Sequence, residues 1–125
     1  MRIAFYAPLK PPTHPHPSGD RRMARLLMRA LRLAGHDVAL ASAFRAYDRA
    51  GDAEVQAGIA AKGARIAATL IRRWQKQPRG KRPQAWVTYH LYHKAPDYLG
   101  PAVSAALAIP YVVIEPSVAP KRKGG

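Results

Sequence analysis

The 125-residue chain contains no cysteine, which excludes disulfides and every zinc site built on thiolates. Acidic residues are scarce: 7 Asp and Glu stand against 21 Lys and Arg, a net charge of +14. A surface so short of carboxylates favours polyanions, whether nucleic acid, anionic lipid headgroups or phosphorylated small molecules. The arginines accompany abundant alanine, so a generic basic surface and a dedicated polyanion site are both open readings. Nowhere do about 18 apolar residues run together, so no membrane-spanning helix is expected. Met1-Arg2 leads straight into a short strand-like run, without the apolar stretch of a signal peptide. The expected location is the cytoplasm. The Gly-x-Gly-x-x-Gly and Walker A fingerprints are missing, which argues against a nicotinamide or flavin dehydrogenase, and no cofactor is expected. Nor does a nucleophile elbow support a hydrolase.

What is there alternates between short apolar runs and amphipathic stretches. Arg2 to Ala7 is nearly continuous in apolar residues, as expected of a parallel strand covered on both faces. A helix is predicted from about Arg21 to Ala34, with Met23, Leu26, Leu27, Ala30 and Leu31 on one side. Arg22, Arg25, Arg29 and Arg32 line the other side, Asp20 reads as the N-cap, and Gly35 reads as the C-terminal stop. Asp37 to Ala41 is a second strand. Val55, Ile59, Gly63, Ile66, Leu70 and Trp74 recur at helical spacing in a long second helix that ends before Pro78. Ala85 to Tyr89 is the third strand. A third helix enters at Pro96 or Asp97 and runs to about Leu107, and Ile109 to Ile114 forms the fourth strand. The fold class is therefore α/β: a Rossmann-like parallel sheet of about four strands with helices on both faces. Residues 1–118 form this domain and 119–125 a basic tail without periodicity.

In such a sheet, ligands bind beyond the carboxyl ends of the strands, near the switch point. That places function in the loops beginning at Pro8, Ser42, His90 and Glu115. The first, PLKPPTHPHPSGD, carries His14 and His16, and the third carries His90 and His93. No clustered carboxylate or helical spacing accompanies these pairs, so no metal site is expected. Ser18-Gly19-Asp20 caps the first helix, or with Arg21 and Arg22 holds a phosphate at its positive end. His90 is either a solvated loop histidine or a hydrogen-bonding, polarising group in the cleft. Glu115 reads as an ion-pair anchor or an acceptor for a sugar hydroxyl. Arg79-Gly80-Lys81-Arg82 and Lys121-Arg122-Lys123 are solvated loops, or with Tyr89, Tyr92 and His93 a stacking and phosphate surface for single-stranded nucleic acid. A basic nucleic-acid-binding module is thus the alternative function, although no known RNA-binding pattern supports it.

Two blocks bring a resemblance. MRIAFYAPLKPPTHPHPSGDRRMARLLMRALRLAGHDVALAS and VTYHLYHKAPDYLGPAVSAALAIPYVVIEPS resemble the N-terminal Rossmann-like half of GT-B glycosyltransferases of the family 4 type. The first block is similar to that family's opening strand, glycine-bearing loop, helix and Ala-Gly-His-Asp-Val turn. The second is similar to its third-strand loop with a histidine facing the cleft. The resemblance implies the acceptor-side half of an enzyme that transfers a hexose from a nucleotide-sugar donor, usually with retention and without a required metal. It implies that Gly19 approaches the donor diphosphate through its backbone and that His90 is the catalytic histidine beside the transferred sugar; Ser18 and Arg21 beside Gly19, and Glu115, are the further candidate substrate-binding residues. A complete enzyme of that kind carries a second Rossmann domain, so the chain is expected to be truncated and inactive alone. Two further contacts are expected: a peripheral one with anionic lipid at the inner face of the membrane, and self-association through an exposed sheet edge.

Overall fold

The computed structural model describes residues 1–8, 19–46, 52–89 and 96–115, the side chains of residues 19–21 excepted. Strands β1 (Arg2–Tyr6), β2 (Asp37–Leu40), β3 (Ala85–Tyr89) and β4 (Tyr111–Ile114) form one sheet in the order β2-β1-β3-β4, and every pair is parallel. Helix α1 (Gly19–Leu33) joins β1 to β2, α2 (Ala53–Gln75) joins β2 to β3, and α3 (Gly100–Leu107) joins β3 to β4. The chain is α/β and Rossmann-like.

The alternation of a strand distributes side chains to two cores. On one face Ile3, Phe5, Val38, Val87 and Tyr89 pack against Ala24 and Met28 of α1. On the other, Ala4, Tyr6 and Trp86 pack against Ala67 and Leu70 of α2 and Val103 of α3. Because β1 and β3 are covered on both faces, their sequences lack the polar alternation of a half-exposed strand. β3 is buried at every position, and β1 at all but its first. Edge strand β4 is more open, with Val112 43% and Val113 38% exposed.

Several boundaries shift from the sequence reading. Helix α1 already includes Gly19 and Asp20, so Asp20 lies in its first turn instead of capping it. Its other end is as expected. Gly35 has φ +96°, its N–H bonds to Arg32 O at 3.0 Å, and His36 N–H reaches Leu31 O at 3.1 Å. That pair of bonds closes the helix with a left-handed residue, a conformation glycine adopts without a Cβ penalty. Helix α2 starts two residues before Val55, where Asp52 caps it, accepting from Glu54 N at 2.8 Å and Val55 N at 3.1 Å. Its buried stripe is Gly63, Ala67 and Leu70, while Val55 is half exposed, so the helical spacing holds upstream but its apolar residues there are not covered. β4 begins at Tyr111, since Pro110 lacks an N–H, although its carbonyl still accepts from Trp86 N at 2.9 Å.

Candidate functional site

The sheet order fixes where a ligand crevice can form. From β1 the chain moves to β2 on one side; from β2 it crosses back over β1 to β3 on the other. The connections on either side of β1 and β3 thus diverge, with α1 on one face and α2 on the other. This is the switch point of a doubly wound sheet, and its crevice lies beyond the carboxyl ends of β1 and β3. The loops that begin at Pro8 and His90 leave from these adjacent strands.

The crevice stands on a rigid frame. The segment after β2 is tied to β1: Ala41 N–H bonds to Phe5 O at 2.8 Å, and Ala46 N–H bonds to Pro8 O at 2.9 Å. Tyr6, fully buried, donates its hydroxyl to Phe44 O at 2.8 Å. Its ring meets Trp86 edge-on at 6.0 Å, and Trp86 in turn meets Trp74 of α2 at 6.4 Å.

On the β3 side the frame is polar. The Trp86 indole N–H donates to Thr88 Oγ1 at 2.8 Å, and the Thr88 hydroxyl donates to Asp97 Oδ2 at 2.5 Å. Tyr111 donates to the same oxygen at 2.6 Å. Asp97 Oδ1 accepts from the backbone N–H groups of Leu99 at 3.0 Å and Gly100 at 2.8 Å, the first donors of α3. One carboxylate therefore caps a helix and clamps two strands, with its four acceptor sites filled. Such saturation makes Asp97 a positioning residue and leaves it no lone pair for a substrate proton. Burial, then the bond to Asp97, pushes the Tyr111 phenol well above its ordinary range. Burial and the nearby Asp97 charge do the same to Tyr6. Both phenols stay neutral donors at physiological pH.

Gly100 makes this arrangement possible. A Cβ there would lie 2.7 Å from Trp86 Nε1 and collide with the Tyr111 ring and the Asp97 carboxylate. The Asp-x-x-Gly spacing of residues 97 and 100 was the visible sign of a capped helix start. The three-element clamp itself needed the register of Trp86 beside Tyr111 and could not be read from spacing.

Of the residues expected to carry function, Gly19 is the first residue of α1, and Arg21 lies in that helix's first turn. A helix that follows β1 and returns antiparallel to the sheet starts at the carboxyl edge, so both belong to the crevice side. Glu115 is exposed and follows Ile114 directly, at the same edge but one strand beyond β3. Two inter-strand spacings, roughly 10 Å, separate its strand from β1. Ser18 and His90 lie outside the described residues, as do His14, His16 and His93 and the basic tail. Among the described residues, no group of three or more metal-ligating side chains occurs. No helix among them is long and apolar enough to cross a membrane.

The basic run takes a place that the nucleic-acid reading did not anticipate. Arg79–Lys81 forms a short 3-10 helix ahead of β3, at the amino edge of the sheet. Tyr89 ends β3 at the opposite edge, about 16 Å away along a five-residue strand. Arg82 is also committed, donating to Gln77 O at 3.0 Å and Gln75 O at 2.9 Å at the end of α2. The run and Tyr89 therefore do not share one surface. Comparison with protein-family models, curated proteins and solved structures finds no match.

Proposed function

We propose that the chain is the acceptor-side, N-terminal half of a nucleotide-sugar-dependent glycosyltransferase of the family 4, GT-B type, acting with retention. The observation that carries the reading is the sheet order. It makes β1 and β3, the strands that lie in the two sequence blocks of the resemblance, neighbours at the switch point. In this reading the backbone N–H groups at Gly19 and the α1 terminus face the donor diphosphate, with Ser18 and Arg21 beside them. His90 holds the transferred sugar and stabilises charge as the anomeric carbon leaves the diphosphate oxygen for the acceptor hydroxyl. Glu115 accepts a sugar hydroxyl. The nucleotide site belongs to a second domain, as in enzymes of that kind, so the chain alone transfers no sugar. The Asp97 clamp supports the reading by fixing α3 and the end of β3, between which the His90 loop runs.

The test uses the protein in which this chain is joined to a donor-binding domain. His90→Ala lowers transfer about a hundredfold while leaving the thermal midpoint in place. Unchanged turnover in that variant would remove His90 from the reaction, and with it the reading.

A further inference from the structure

We propose that the groove between α2 and edge strand β2 is a binding site for a small ligand carrying several phosphates. The groove lies away from the β1/β3 crevice, and the inference does not rest on the glycosyltransferase reading. It exists because α2 packs over the middle strands, where Ala67 and Leu70 meet Ala4 and Trp86, and leaves the outer side of β2 uncovered.

Lys62, Arg65 and Arg73 line the groove, which encloses about 420 Å³, within the roughly 300–1,000 Å³ usual for small-molecule sites. Their spacing along α2 puts them on one side of the helix, and among the described residues no acidic side chain lines the groove. Lys62 sits 5.7 Å from the centre of the Phe44 ring, which orients its ammonium by a cation–π contact. Arg65 and Arg73 make no side-chain hydrogen bond or ion pair with a described residue, so both guanidinium groups offer their donors to a ligand. Ala41, Ile66 and Leu70 form an apolar floor beneath them.

Three cations over about 16 Å of helix match the charge and reach of a short phosphate chain better than other polyanions. Among the described residues that line the groove there is no aromatic ring on which a base could stack, which disfavours single-stranded nucleic acid. A second copy of the chain, at +14, is repelled.

Inorganic triphosphate is the probe, titrated into the full chain by calorimetry at moderate salt. It should bind, and joint replacement Lys62→Gln, Arg65→Gln and Arg73→Gln should weaken binding about tenfold or more. All three side chains are exposed, so the variant keeps its circular dichroism spectrum and thermal midpoint. An equal-charge control, Arg25→Gln, Arg29→Gln and Lys76→Gln, should change affinity less than about twofold. Failure of triphosphate to bind, or equal losses in both variants, would overturn the proposal. So would a mixed-sequence oligonucleotide that binds the groove while triphosphate does not.

Discussion

The two faces of the sheet solve the same burial problem with different chemistry. The α1 face is largely apolar: Phe5, Val38 and Val87 meet Ala24 and Met28, and Tyr89 supplies the hydroxyl of that cluster. The α2/α3 face carries Trp86, Tyr6, Thr88 and Tyr111 around one carboxylate. Apolar packing tolerates adjustment, because a displaced methyl group loses only part of its contact energy. A buried polar cluster is less forgiving, since every donor left unpaired costs its desolvation. The α2/α3 face is thus the one with a sharply defined geometry.

The largest expected effect breaks that polar centre. Asp97→Ala leaves two backbone N–H groups, the buried Thr88 hydroxyl and the half-buried Tyr111 hydroxyl without their acceptor, which costs about 4 kcal/mol. Asp97→Asn keeps one acceptor oxygen and should lose about half as much. On the other face, Met28→Ala removes a side chain that is 7% exposed, at about 2 to 3 kcal/mol. Urea unfolding of the three variants tests the contrast. If Asp97→Ala costs less than Met28→Ala, the clamp is ornament and the frame argument fails.

A second comparison uses alkali. Both phenols on the α2/α3 face titrate above their ordinary value of 10.0, through burial first and Asp97 second. In the unfolded chain they ionise near that value, so above pH 10 the unfolded state binds fewer protons than the folded one. Stability contributed by these neutral phenols is therefore complete below pH 10 and falls as pH rises beyond it. Tyr111→Phe loses a hydrogen bond at neutral pH but flattens this alkaline decline. Tyrosinate absorbance followed beside circular dichroism should show the two phenols ionising only with unfolding. Ionisation of every tyrosine before any loss of structure would show that the buried phenols are not held neutral.

Much of this contrast was hidden in the sequence, for physical reasons. β3 was legible to the residue, because burial on both faces leaves an uninterrupted run from Ala85 to Tyr89. Gly35 was legible because a left-handed stop selects for glycine. The upstream half of α2 was legible as helix but its exposure was not, since alanine-rich spacing looks amphipathic whether or not a partner covers it. The Asp97 clamp joins residues 9 to 14 positions apart through strand register, which local periodicity does not encode. The basic groove likewise needs α2 to sit off the outer side of β2, a packing outcome no spacing rule contains. Of the expected site, the sheet edge and the places of Gly19 and Glu115 follow from topology. His90 and Ser18 remain assigned by resemblance.

The smallest effect sharpens what the two faces share. Helix α3 ends as α1 does: Ala108 N–H bonds to Ala105 O at 3.3 Å and Ile109 N–H to Ser104 O at 3.0 Å. The left-handed position holds Ala108, at φ 56°, where α1 has Gly35. A Cβ in that conformation costs about 1 to 2 kcal/mol, and glycine returns part of the gain as greater freedom in the unfolded chain. Ala108→Gly should therefore stabilise by about 0.5 kcal/mol. Gly35→Ala should destabilise by about 1 kcal/mol, and since no atom lies within 4 Å of the added Cβ, that loss is purely backbone strain. Denaturant midpoints measure both, with slopes unchanged. Equal and negligible shifts would mean that the two caps relax freely, and that neither helix end is held by the geometry its bonds describe.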